Sequence, residues 1–120
     1  MSYMKEKSFS FKAEAAIAKY KFVKFGTNAQ EIDVAGAGEG FGAAMSDADI
    51  GSFAEVAMIG GGAKIECGGT IAKGAMVSSD ASGNGITTAS AGDLVLGIAQ
   101  EAGVVGDIIS IERVYLFRHA

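Results

Sequence analysis

The chain has 120 residues, one cysteine, no proline and no tryptophan, a length that allows one domain with a modest core. Cys67 alone excludes an internal disulfide and fits a reducing compartment. The net charge of −4 divides into +4 over residues 1–24, where six lysines face Glu6 and Glu14, and −8 over residues 25–120. An acidic body with a basic arm argues against nucleic acid as the main partner, because phosphate binding needs positive charge clustered on the folded face.

Residues 1–18 are polar and alternating at first, with Phe9 and Phe11 two apart as one face of a strand places them. The AEAAIAK stretch that follows is a helical turn or a loop. The segment is expected to be an extended N-terminal arm, with residues 19–120 forming the folded domain. MSYMKEKSFSF lacks the apolar stretch of a signal peptide and no apolar run approaches a membrane span. The expectation is a soluble protein made in a cytoplasm, with no membrane partner.

KYKFVKFG, Lys19 to Gly26, predicts a strand of interleaved lysines and aromatics. Such interleaving also suits single-stranded nucleic acid, but the acidic remainder and the lack of a second aromatic platform speak against it. EIDVAG predicts a second strand, closed by GAGEGFG. Then come GAAMS, a turn through Asp47 to Gly51, and the strand SFAEVAMI. Beyond Gly60 to Gly62 the predicted strands shorten: AKIEC, TIAK, AMVSSD, ITTA and DLVLGIAQE, ending in a long strand, DIISIERVYLFRH. With 18 glycines marking the breaks, short strands at roughly ten-residue spacing predict an all-β, compact single-domain barrel or sandwich with glycine-rich turns.

GAAMSDADIGSFAEV, residues 42–56, lies under GIAQEAGVVGDIISI, residues 97–111, without a gap. Gly42 meets Gly97, Gly51 meets Gly106, Phe53 meets Ile108 and Val56 meets Ile111. The repeat, taken as 41–59 and 96–114, predicts one hairpin-like unit used twice. Its packing is expected to bury Ile50, Phe53 and Val56 against Val105, Ile108 and Ile111.

No motif carries chemistry. Gly38-x-Gly40-x-x-Ala43 lacks the helix a dinucleotide fingerprint requires, and Gly60 to Lys64 lacks phosphate-loop spacing. Cys67 has no partner placed by sequence to activate it. His119, the one histidine, sits at the end of the chain and would be held by almost nothing. Asp47 and Asp49 fall short of a calcium loop. Ser78, Ser79 and Asp80 read as a turn, and Glu112 with Arg113 as salt-bridged surface. No catalytic, cofactor or metal residue is assigned, and the chain is not expected to be an enzyme.

KFVKFG, GAMVSSDASGNGITTASAGDLVLGIAQEAG and the closing GDIISIERV together resemble the small phage capsid decoration proteins, also called head cement proteins. The similarity runs from about Lys19 to Val114, and MSYMKEKSFSFKAEAAIA and YLFRHA are less familiar. The resemblance implies a non-enzymatic structural protein on the outer surface of the virion, made in the host cytoplasm and often trimeric. It would clamp neighbouring major capsid subunits. Tyr3, Lys5, Lys7, Phe9, Phe11 and Lys12, on the basic arm, are the expected contacts to the capsid or to a neighbouring copy. The alternative for Phe9 and Phe11 is that they complete the protein's own sheet. The alternatives in function are a free-standing oligomeric adhesion or spike module, and a small-ligand-binding barrel.

Overall fold

In a computed structural model, which describes residues 8–58, 62–88 and 90–119, the chain forms ten strands and, among the described residues, no helix. The first five are β1 (Ser8–Ala13), β2 (Phe22–Phe25), β3 (Glu31–Val34), β4 (Gly42–Ala44) and β5 (Phe53–Ala57). They close into a barrel in the order β1-β3-β2-β4-β5, with β5 returning to β1. The second five are β6 (Gly62–Glu66), β7 (Met76–Ser79), β8 (Gly85–Thr87), β9 (Leu94–Ala99) and β10 (Ile108–Arg118). These form a sheet in the order β6-β10-β9-β7-β8, whose two edges meet at a parallel bridge between Cys67 and Gly85.

The two sets of strands are the same unit written twice. Val23 opposes Gly42 as Val77 opposes Gly97, and Ile17 bridges Ala48 as Ile71 bridges Gly103. Ser8 opposes Ala57 as Gly62 opposes Glu112. Counterparts lie 54 residues apart at β2 (Val23 to Val77), 53 at β3 (Val34 to Thr87) and 55 from β4 onward (Gly42 to Gly97). The duplication therefore runs beyond 41–59 and 96–114 and takes in both halves of the chain.

The aligned glycines have two separate causes. A Cβ on Gly42 would lie 2.4 Å from Val56 Cγ1, and one on Gly97 would lie 2.9 Å from the Glu112 carbonyl oxygen, so both mark close approach between strands. Gly51 and Gly106 have open space around them but φ of +85° and +90°. Each is the third residue of a turn closed by an i+3 hydrogen bond, Ser52 N–H to Asp49 O and Asp107 N–H to Val104 O, both 2.9 Å. That position requires the left-handed backbone glycine adopts freely.

The barrel is narrow, and small side chains fill it. Ala13, Val23, Ile32, Ala44, Ala54 and Val56 are all fully buried in one cluster. A second cluster spans the halves, packing Phe22, Ala35 and Ala43 against Ile65, Val77, Leu96, Ile109 and Ile111.

Several expectations are corrected. Of the six residues expected to pack across the repeat, only Val56 and Ile111 are buried, each in a different cluster. Ile50, Phe53, Val105 and Ile108 are 72%, 65%, 70% and 40% exposed. Strand alternation explains the pair in β5, where Ala54 and Val56 point inward and put Phe53 and Glu55 outside. AEAAIAK is a loop, and Lys19 and Tyr20 form a turn ahead of a strand that begins only at Phe22. From Ser8 onward the expected arm is part of the barrel, since β1 pairs with β5 along its length and with β3 at Lys12 and Ala13. Any arm is limited to residues 1–7, which lie outside the described residues.

Candidate functional site

Arg113 is the most unusual side chain in the structure. Alternation along β10 places it on the same face as Ile109 and Ile111, and it is 2% exposed. Among the described residues, no carboxylate meets it. Instead Nε donates to Leu96 O at 2.6 Å, Nη1 to Ala57 O at 2.6 Å and Nη2 to Phe41 O at 2.9 Å. Two of those carbonyls belong to the first half and one to the second, so the guanidinium staples the halves together. Desolvation lowers its pKa to about 10. The surface salt bridge expected of Glu112 and Arg113 is thus replaced by a buried cation held by carbonyl dipoles. The signal was present in sequence: Ile109-x-Ile111-x-Arg113 is a period of two.

The other singled-out groups are structural. Cys67 is buried, and its thiol pKa is raised by burial first and then by Asp107, Glu101 and Glu66, which disfavours the thiolate. Ser78 and Ser79 are buried in β7 rather than placed at a turn; Ser78 Oγ bonds Thr88 Oγ1 at 2.7 Å and donates to Leu94 O at 2.8 Å. Asp80 does hold a turn, accepting from the backbone N–H groups of Ser82 (2.8 Å) and Asn84 (2.9 Å). Asp47 accepts from Lys19 N–H at 2.9 Å. His119 is better anchored than its position suggests, with both backbone groups bonded to the Gly92–Asp93 turn. Among the described residues, no three His, Cys, Asp or Glu side chains converge as metal ligands would.

What the surface offers is apolar. Ile50 and Phe53 stand out at the turn into β5, and Val105 and Ile108 occupy the same positions at the turn into β10. One exposed apolar pair is therefore presented twice. Phe25, 60% exposed, stacks on Phe41 with centroids 4.0 Å apart, and Phe11 meets both edge-on at 6.1 and 5.5 Å. A groove of about 360 Å³ between the halves is lined by Tyr20, Met45, Ala63, Lys64, Gln100 and Ser110. Its one charged group, Lys64, is hydrogen-bonded to Ser110 Oγ at 3.1 Å.

The proposed arm contacts divide. Phe9 is 56% exposed and Phe11 belongs to the ring cluster. Lys12 pairs with Glu31 at 3.8 Å across the β1–β3 ladder. Tyr3, Lys5 and Lys7 lie outside the described residues.

A family model described as phage cement protein matches residues 4–109. Among solved structures, the chain is similar to the N base of the head fiber protein gp8.5 of bacteriophage phi29. The two share 21% identity and a TM-score of 0.73, covering 88% of this chain and 92% of that one. No curated protein sequence matches the chain.

Proposed function

Because the chain belongs to the phage cement protein family, we propose that it binds the outer surface of an assembled phage head and clamps neighbouring major capsid subunits. The observation that carries this reading is the duplicated apolar pair, Ile50 with Phe53 and Val105 with Ile108. A capsid lattice repeats one subunit, and a chain that repeats one contact point can straddle two copies of it. Two weak contacts on one rigid body add through effective concentration, so neither needs to be large. A homotrimer would multiply the contacts again. Residues 1–7 with Phe9 supply the basic, aromatic edge proposed to reach the capsid or a neighbouring copy. The acidic remainder speaks against nucleic acid as partner.

The ligand-barrel alternative finds little support, since the barrel interior is filled by its own small side chains. A free-standing adhesion or spike module is separated from the cement role by one experiment, co-sedimentation of the purified protein with heads lacking it. Saturable binding at a fixed ratio to the capsid subunit, with heads more resistant to heat, is the expected result. Phe53→Asp with Ile108→Asp is expected to abolish it, and each single variant to weaken it. Deleting residues 1–7 leaves β1 whole and is expected to reduce affinity without loss of fold. Failure of the wild-type protein to bind any mature head overturns the proposal in favour of the free-standing module.

A further inference from the structure

The two halves do not meet face to face. Phe22 N–H donates to Gly83 O, and Glu66 N–H donates to Tyr20 O, at 2.8 and 2.9 Å. Gly83 is the counterpart of Gln30, both at positive φ just before the second strand of their hairpin, and Tyr20 is the counterpart of Gly74. Two like units meeting through unlike surfaces form a head-to-tail contact, which is open at both ends unless it closes or is stopped. Burial shows the two free ends. Phe22 and Ala43 are fully buried at the junction, whereas Met76 and Ile98, their counterparts on the second half, are only half-buried. Ser79 and Gly83 are buried, whereas their counterparts on the first half, Phe25 and Gln30, are exposed.

At one corner the free end of the second half is stopped. On the first half, Gly38 N–H donates to Ser79 O at 2.9 Å, and Gly38 O accepts from Leu94 N–H at 3.0 Å. Gly92 is the counterpart of Gly38. Its N–H donates to His119 O at 2.8 Å, and its carbonyl accepts from Arg118 Nη1 at 2.8 Å. The last residues of β10 thus fill, on the second half, the place the second half fills on the first. They have no counterpart in the repeat, and they lie beyond the family match, which ends at residue 109.

We propose that residues 114–119 are an intramolecular cap over a self-association surface, the occupant they exclude being the Phe25–Gln30 face of a second copy of this chain. Terminal units of repeat arrays need such caps, because an uncapped end keeps the complementarity that built the array. The within-chain junction identifies the occupant, since it is the same pair of surfaces already in contact once.

The test is the oligomeric state of a chain ending at Arg113, measured by light scattering over a hundred-fold concentration range beside the full-length protein. The truncated chain, folded by circular dichroism, is expected to exceed the full-length mass increasingly with concentration. Adding Ala29→Glu, at an exposed turn of the first half, is expected to return it to the full-length mass. A folded truncation that keeps the full-length mass throughout overturns the proposal, as does association that Ala29→Glu leaves unchanged. Should truncation unfold the chain, Arg118→Ala with His119→Pro keeps β10 through Phe117. Faster hydrogen exchange at Gly92 with concentration-dependent mass is then expected, and either one unchanged overturns the proposal. Because mass is read against the full-length protein, the result does not depend on whether that protein is itself a trimer.

Discussion

Removing Arg113 tests the staple. Hydrogen bonds to a charged group contribute about 1.5–3 kcal/mol each, so three of them amount to roughly 5–9 kcal/mol gross. Against this stands the cost of burying the charge. A guanidinium pKa lowered to about 10 corresponds to about 3 kcal/mol of disfavoured ionisation at 1.36 kcal/mol per pH unit. The donors win, by about 2–6 kcal/mol. Arg113→Met keeps the stem's volume and places at 113 the residue its counterpart Met58 already is. It is expected to fall at the low end of that range, whereas Arg113→Ala adds a cavity and falls at the high end. The assay is urea unfolding followed by both circular dichroism and near-ultraviolet absorbance. Loss of the link between Leu96 O and the carbonyls of Phe41 and Ala57 is also expected to separate the two probes, as the halves come apart before either unfolds. An Arg113→Met chain at least as stable as wild type would refute the reasoning, because burying a cation would then cost more than its three carbonyls return.

The paired glycines and the thiol give two further expectations. Gly97→Ala drives a Cβ against the Glu112 carbonyl oxygen and the Ile111 side chain, and Gly42→Ala drives one against the Ala57 carbonyl oxygen and the Val56 side chain; overpacking of this kind costs about 1–3 kcal/mol, and because each meets a backbone oxygen the two are expected to cost alike. Gly51→Ala and Gly106→Ala meet no atom within 4 Å, so both are expected to cost the same, about 1 kcal/mol, from the positive φ alone; thermal melts of the four variants check the ranking. Cys67, with its thiol pKa raised in the folded state, contributes stability that is fully present below its unfolded pKa of about 9 and is lost as pH rises toward the folded value. The melting temperature of wild type is therefore expected to fall more steeply above pH 9 than that of Cys67→Ala, and the native thiol to resist a disulfide reagent until the chain is unfolded.

Much of the strand order was legible because glycine and short polar residues punctuate it. Nine of the predicted segments contain or overlap a strand of the structure near its expected place, from KYKFVKFG as β2 to DIISIERVYLFRH as β10. What failed was the assignment of inside and outside where apolar character was weighed above alternation. Phe53 shares its face with Glu55, and Ile108 shares its face with Ser110 and Glu112, so the charged neighbours already marked the outward side. The same rule, applied to Ile109, Ile111 and Arg113, marks the arginine as buried. Pairing partners were not legible at all: nothing local in SFSF says that it lies beside FAEVA, 45 residues further along. The short repeat was visible where glycines recur for steric or conformational reasons. Its earlier part diverged, apart from Ile17-Ala18-Lys19 and Ile71-Ala72-Lys73, because there the two halves do different work.

That divergence follows from the head-to-tail junction. A half of about fifty residues falls below the size at which a single core is comfortably stable, and barrels filled largely by alanine and valine bury little area per strand. The first half meets this by lending Phe22, Ala35 and Ala43 to a core whose other members come from the second half. Identical halves could not do so through unlike surfaces without leaving the same apolar residues uncovered at the free end. The second half accordingly carries Gly74 where the first has Tyr20 and Ser79 where the first has Phe25, and its last strand runs on past the repeat to Arg118. Fold stability and the proposed capsid contact thereby fall at different positions of one repeat: the diverged positions build the junction, and Ile50 with Phe53, matched by Val105 with Ile108, stay alike and exposed. Substitutions at the first set are expected to change folding, and substitutions at the second to change binding to the head.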